Sequence, residues 1–211
     1  MKKSAVSRGA ARTLLLALLA SPAASLSGPP EPFPATGVRS LALVGRAQIP
    51  RNLEVDGTRV GGLSGLAWDE AAGVFWAVSD DRGQYGPVRL YRIRLDLAVP
   101  ADGETPFPVT GARALPLADA EGRPFAPNSI DTEGLAVVAG GFLVSTEPIV
   151  HRGVAAMIGE FGPDGRQKGQ LRLPDSLLPG QGHGGRENLG FEGLAPTSDG
   201  KHLYAAVENA L

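Results

Sequence analysis

Three stretches decide how this chain is read: GLSGLAWDEAAGVFWAVSDD (Gly62–Asp81), DTEGLAVVAGGFLVSTE (Asp131–Glu147) and GFEGLAPTSDGKHLYAAVEN (Gly190–Asn209). Each holds Gly-Leu-Ala, beginning at Gly65, Gly134 and Gly193, then a turn, then an apolar or aromatic run ending in an acid. The cores recur after 69 and 59 residues. A kept core with unequal spacing is the pattern of structural repeats carrying loop insertions.

Working outward, the stretches between the cores repeat as well. After the first come VRLYRIRLD (Val88–Asp96), alternating as a strand does, and GARALPL (Gly111–Leu117). After the second come AAMIGEF (Ala155–Phe161), the turn Pro163-Asp164-Gly165, and GQLRL (Gly169–Leu173). Short alternating runs joined by Asp-Gly turns predict four antiparallel strands per repeat, connected as a meander. The fold class is therefore all-β, a β-propeller of four-stranded antiparallel blades. Ser40–Pro50 (SLALVGRAQIP) reads as the last strand of a blade whose other strands lie elsewhere. Two whole blades, half of a third and this orphan strand are counted along the 211 residues, so the expectation is an N-terminal part of a ring that is six-bladed when complete. A smaller sandwich is the alternative architecture.

Composition agrees. The 29 Gly and 18 Pro supply turns, and a hydrophobic content of 43% suffices for a packed core, so general disorder is excluded. With no Cys, the chain has no disulfide framework, no thiolate metal site and no thiol nucleophile. Residues 1–25 read as a secretory signal peptide of the bacterial Sec type: Lys2, Lys3, Arg8 and Arg12, then the short apolar run Leu14–Ala20, then small residues. That run is too short to span a bilayer, so no stable membrane span is expected after cleavage. Residues 26–37 read as a Pro-rich tether and 38–211 as the propeller part, placed in the periplasm or outside the cell. Removing the four leader cations from the 20 basic residues leaves 16 against 22 acids, a net charge of −6. Such a surface excludes nucleic acid as the expected partner.

The acids fall at repeated places. In a meander the start of the first strand lies beside the end of the second. Glu133 and Glu192 open the first strand of repeats two and three, while Glu147 and Glu208 close the second. The first repeat has Ser64 in place of the leading Glu and a doubled Asp80-Asp81 at the close. Innermost strands line a propeller's channel, so these acids are expected around one of its mouths. Crowded carboxylates repel unless compensated, and a hard divalent cation, above all Ca²⁺, suits several oxygen ligands. Capping of loop N–H groups, or pairing with a nearby Arg, is the alternative for each acid taken singly.

The expected metal ligands are thus Glu133, Glu147, Glu192 and Glu208, with Asp80 and Asp81. Arg186, Asn188 and Arg82 are candidates for holding a small anionic or ester substrate, and Asn128 precedes Glu133 as Asn188 precedes Glu192. His183, between glycines, reads as a surface residue, as do His151 and His202. Ser64 lacks the Gly-x-Ser-x-Gly elbow, which excludes a serine triad of that kind. Trp68, Phe75 and Trp76 read as core or inter-blade packing.

GGLSGLAWDEAAGVFWAVSDDRG with VRLYRIRLDL, IDTEGLAVVAGGFLVSTEP, and RENLGFEGLAPTSDGKHLYAAVENAL together resemble the exported bacterial esterase-like or phytase-like domain proteins. The resemblance spans about residues 40–211, with the blocks in the family's order. It implies a β-propeller with phosphoester or ester hydrolase activity, and acids with metal at a channel mouth. No residue is carried over from it individually. Metal-assisted hydrolysis of phosphate esters is the leading expectation. A non-catalytic propeller with a structural cation, and a metal-dependent lactonase or sugar-ester hydrolase, are the alternatives.

Overall fold

In the computed structural model, which describes residues 40, 42–50, 52–98, 104–178 and 184–208, each Gly-Leu-Ala core lies in the first strand of its own antiparallel sheet. A short hairpin precedes them, β1 (Glu54–Val55) and β2 (Thr58–Arg59). The first sheet is β3 (Leu63–Asp69), β4 (Val74–Ser79), β5 (Arg89–Leu95) and β6 (Val109–Pro116), paired in that order. The second repeats it with β7 (Asp131–Val138), β8 (Gly141–Glu147), β9 (Ile158–Phe161) and β10 (Gln167–Gln170). The third pairs β11 (Phe191–Pro196) with β12 (Leu203–Val207). The architecture is all-β: two four-stranded meanders and a two-stranded antiparallel sheet, consistent with consecutive propeller blades. The ring is not closed among the described residues.

The blades stack through their first strands, with β7 packed between β3 and β11. The Gly-Leu-Ala motif carries this contact. A Cβ on Gly65 would lie 2.5 Å from the Glu133 carbonyl oxygen and 2.8 Å from the Leu135 nitrogen, so the β7 backbone occupies that space. One blade on, a Cβ on Gly134 would meet the Glu192 carbonyl oxygen of β11 at 2.9 Å. Each Gly thus admits the backbone of the following blade. The Leu points the other way. Leu135 is 2% exposed and joins Val78, Val88 and Leu90 of the preceding blade, whereas Leu66 of the first blade is 65% exposed. Trp76 meets Phe142 across the same boundary, with ring centroids 4.7 Å apart, so this aromatic packs between blades.

Two elements differ from the expectation or add to it. Ser40–Pro50 forms no extended strand among its described residues. It is held by a single parallel bridge from Arg46 to Pro106, in which Phe107 N–H donates to the Arg46 carbonyl, and Leu43 and Val44 stay exposed. The hairpin β1–β2 was not anticipated, although Asp56-Gly57 is a strong signal for it. Both residues have positive φ, 49° and 76°, as a tight type I′ turn requires. Its Val55, with Val60 just beyond, covers the free face of the first blade over Ala77, Tyr91 and Ile93, and Thr58 Oγ1 lies 3.0 Å from the Tyr91 hydroxyl. The leader and tether (1–37) lie outside the described residues. No helix among the described residues is long and apolar enough to cross a membrane.

The seam gives a paired prediction. Gly65→Ala forces a methyl against backbone and should cost about 1–3 kcal/mol, the usual range for overpacking. Gly193→Ala, whose nearest atom is Ala206 Cβ at 3.7 Å, should be close to neutral. Urea unfolding of the two variants checks this, and equal losses would refute the seam.

Candidate functional site: a carboxylate cluster across the blade boundaries

Every first strand carries a β-bulge at the same point. Regular pairing jumps from Leu63 to Leu66, from Thr132 to Leu135, and from Phe191 to Gly193. The bulge redirects the residue ahead of each Gly, namely Ser64, Glu133 or Glu192, at one end of the sheets. It also places Asp131, rather than Glu133, directly opposite Glu147 across β7 and β8.

The outcome is two overlapping groups of acids. Carboxylate oxygens of Asp131, Glu133 and Glu147 lie within 4.8 Å of one another, and so do those of Glu147, Glu192 and Glu208. Glu147 belongs to both. The first group is deeply placed: Asp131, Glu133 and Glu147 are 1%, 8% and 2% exposed. Glu192 is half-buried and Glu208 exposed. The four expected glutamates therefore come together as read from the sequence. Asp131 was missed, although it stands two residues before Glu133 in the quoted stretch. Plain alternation already puts Asp131 on the Glu133 face, and the bulge in addition sets it opposite Glu147.

The surroundings supply few compensating charges. Ser64 Oγ donates to Glu133 Oε2 from the preceding blade. Gly190 N–H donates to Glu147 Oε1 at 2.7 Å from the following one. Arg82 reaches Asp131 Oδ2 at 2.5 Å and also donates to Asn188 Oδ1. It thereby ties the loop after β4 to the second blade and to the loop before β11. Asp131 Oδ2, though beside that guanidinium, has no hydrogen bond of good geometry.

Burial and mutual repulsion show in the proton affinities. Burial pushes the Glu133 carboxyl up to about 7, against the pull of the Ser64 hydroxyl, with Asp131, Glu192 and Asp80 adding to the rise. Glu147 is raised by burial and by Asp131, Glu192 and Glu208, while Gly190 N–H pulls it down. Glu192 is raised by burial and by Glu208. Asp80 is raised by burial, then by Asp131 and Asp81, so it senses the cluster from the end of β4.

The other candidates have different positions. Asp81 is drawn aside, accepting from buried Arg89 at 2.6 Å and from Gly83 N–H at 2.9 Å. Arg186 is exposed and forms no ion pair among the described residues. Asn188 is engaged by Arg82, and Asn128 Oδ1 accepts from Gln84 at 3.1 Å, so neither amide oxygen is free to join the acids. His151 pairs with Glu187 at 2.7 Å on the surface. His183 lies outside the described residues.

A family model described as "Phytase-like: Esterase-like activity of phytase" matches residues 58–211. No curated protein matches the chain, and no solved structure does.

The raised Glu133 has a signed consequence for stability. Its folded pKa of about 7 lies above the ordinary value of 4.5, so the folded chain holds the proton more tightly. The associated stability is fully present below about pH 4.5 and is lost as pH rises through 7. In chelator, the melting temperature should therefore fall between pH 5 and 8, and Glu133→Gln should flatten that fall. Melting curves across this range test it, and a slope unchanged by the substitution would refute it.

Proposed function

Because the chain belongs to the phytase-like family, we propose that it is an exported hydrolase of phosphate esters assisted by a divalent cation, most suitably Ca²⁺. The observation that carries this reading is the buried carboxylate group, with Asp131, Glu133 and Glu147 oxygens within 4.8 Å of one another and Arg82 as the guanidinium paired with it. Such an oxygen-only donor set fits a hard cation and would not fit a soft one. Asp131, Glu133 and Glu147 would hold it, and Glu192 and Glu208 share Glu147 as a second group. When bound, a cation of this kind polarises a phosphoryl oxygen and makes its water more acidic.

The chain's own residues supply the rest. Ser64 Oγ and Gly190 N–H fix the carboxylates of Glu133 and Glu147, one each. Arg82 lies against Asp131, where it can balance the charge of an entering phosphate monoester. The leader-like residues 1–25, followed by an acid-rich remainder, support placement in the periplasm or outside the cell.

Release of phosphate from p-nitrophenyl phosphate by the purified protein should need Ca²⁺ and stop with a chelator. Glu133→Gln combined with Glu192→Gln should lower that release by at least about a hundredfold, the lower end of what one lost electrostatic or proton-transfer group costs. A cation-dependent rise in melting temperature without turnover on phosphate or carboxylic esters would instead assign the cluster a structural role.

A further inference from the structure

Beside the cluster, on the free side of the first blade, lies a cavity of about 630 Å³, within the range of small-molecule sites. The hairpin β1–β2 and the chain before it form one wall, and the ends of β3 and β4 form the other. Ile49, Val60, Leu63 and Tyr85 line it, with Arg59 and Asp80. Tyr85 is 65% exposed, so its ring is available as a surface for an apolar group. The charged side chains in the wall differ in freedom. Arg89 and Asp81 are locked together, while Arg59 forms no ion pair among the described residues.

Two links connect this cavity to the acids. Leu63 lines it, and the next residue, Ser64, donates to Glu133. Asp80 lines it too, at the end of β4. Gly62, with φ +55°, leaves room for that carboxylate, since a Cβ there would fall 1.9 Å from Asp80 Oδ1. The cavity therefore adjoins the cluster at the start of β3 and at Asp80, whose charge is felt by Asp131 and Glu133.

We propose that this cavity receives the apolar alcohol portion of an ester whose acid portion lies at the carboxylate cluster, making the chain selective for aryl or alkyl monoesters. The inference rests on reading that cluster as the reacting centre. A compact polyanion such as inositol hexakisphosphate fits the surface poorly. Its many charges would face Asp80, Asp131, Glu133, Glu147, Glu192 and Glu208, with Arg59, Arg82 and the Asp81-bound Arg89 as the cations in the lining and the cluster. A single phosphate on an aromatic alcohol needs little compensation and gains contact with Tyr85 and Leu63.

Binding of the non-hydrolysable 1-naphthylmethylphosphonate and of methylphosphonate to the full chain, in Ca²⁺, tests the assignment. Naphthyl fluorescence reports the first, and competition reports the second. Tyr85→Ala removes an exposed ring and should leave folding intact. It should weaken the naphthyl ligand about fivefold, the worth of one aromatic contact, and leave methylphosphonate unchanged. Inositol hexakisphosphate should compete no better than methylphosphonate. Equal affinity of Tyr85→Ala and the parent chain for the naphthyl ligand would overturn the proposal, as would equal weakening of both phosphonates. Tight competition by the hexakisphosphate would overturn it as well. Tyr85-dependent binding that ignores Ca²⁺ and survives Glu133→Gln with Glu192→Gln would uphold the apolar pocket while removing the metal-centred reading beside it.

Discussion

The close approach of neighbouring first strands at Gly65 and Gly134 is the constraint on which the rest depends. A backbone can approach another backbone this closely only where the Cβ is missing, and the carbonyls of Glu133 and Glu192 fill those gaps. These carbonyls belong to the acids themselves. The contact that holds two blades together thus also sets the position of each cluster residue relative to the preceding blade. The bulge at the same point completes the arrangement by turning Ser64, Glu133 and Glu192 toward one end.

This coupling sets packing against charge. Two full charges 4.8 Å apart repel by about 3.5 kcal/mol at an effective dielectric of 20. That matches what one or two large apolar side chains contribute on burial, about 1.5–3 kcal/mol each. The cluster of Val78, Val88, Leu90, Leu135, Val144 and Phe161 is larger than this, so the blades stay together with the acids crowded. Protonation of Glu133 relieves part of the repulsion, and a bound cation would relieve more. The same acids that weaken the bare chain therefore favour whatever positive charge reaches them.

Much of this was legible in the sequence because the repeat writes its geometry three times. Gly-Leu-Ala, a turn and an acid-terminated strand sufficed for the meander, and antiparallel pairing sufficed to bring Glu133 to Glu147 and Glu192 to Glu208. The missing parts share one cause: they depend on contacts between segments that no local pattern encodes. Asp131 comes opposite Glu147 because three steps along β7, Thr132 to Leu135, answer two along β8, Thr146 to Val144. Asp81 leaves the acids because Arg89, a strand away, is buried beside it with no other anion. Ser40–Pro50 alternates like a strand but finds only one bridge. The hairpin at Asp56-Gly57 carried a local signal, yet its role became visible only once Tyr91 lay beneath it.

Arg82 shows how far the site is a property of the assembled blades. It follows the second strand of the first blade, with a left-handed φ of 53°, contacts Asp131 of the second, and holds Asn188 ahead of the third. Its backbone carbonyl accepts from Asn128 N–H at 2.7 Å, fixing the loop that leads into β7. One residue thus neutralises the deepest acid and ties three loops that meet above it. A single blade would contain parts of the cluster but neither its compensation nor its walls. For that reason the chemistry cannot be assigned to any one repeat: the repeats are similar in sequence, while the site is made from the differences between them, such as Ser64 against Glu133, and from contacts between them, such as Arg82 with Asn188.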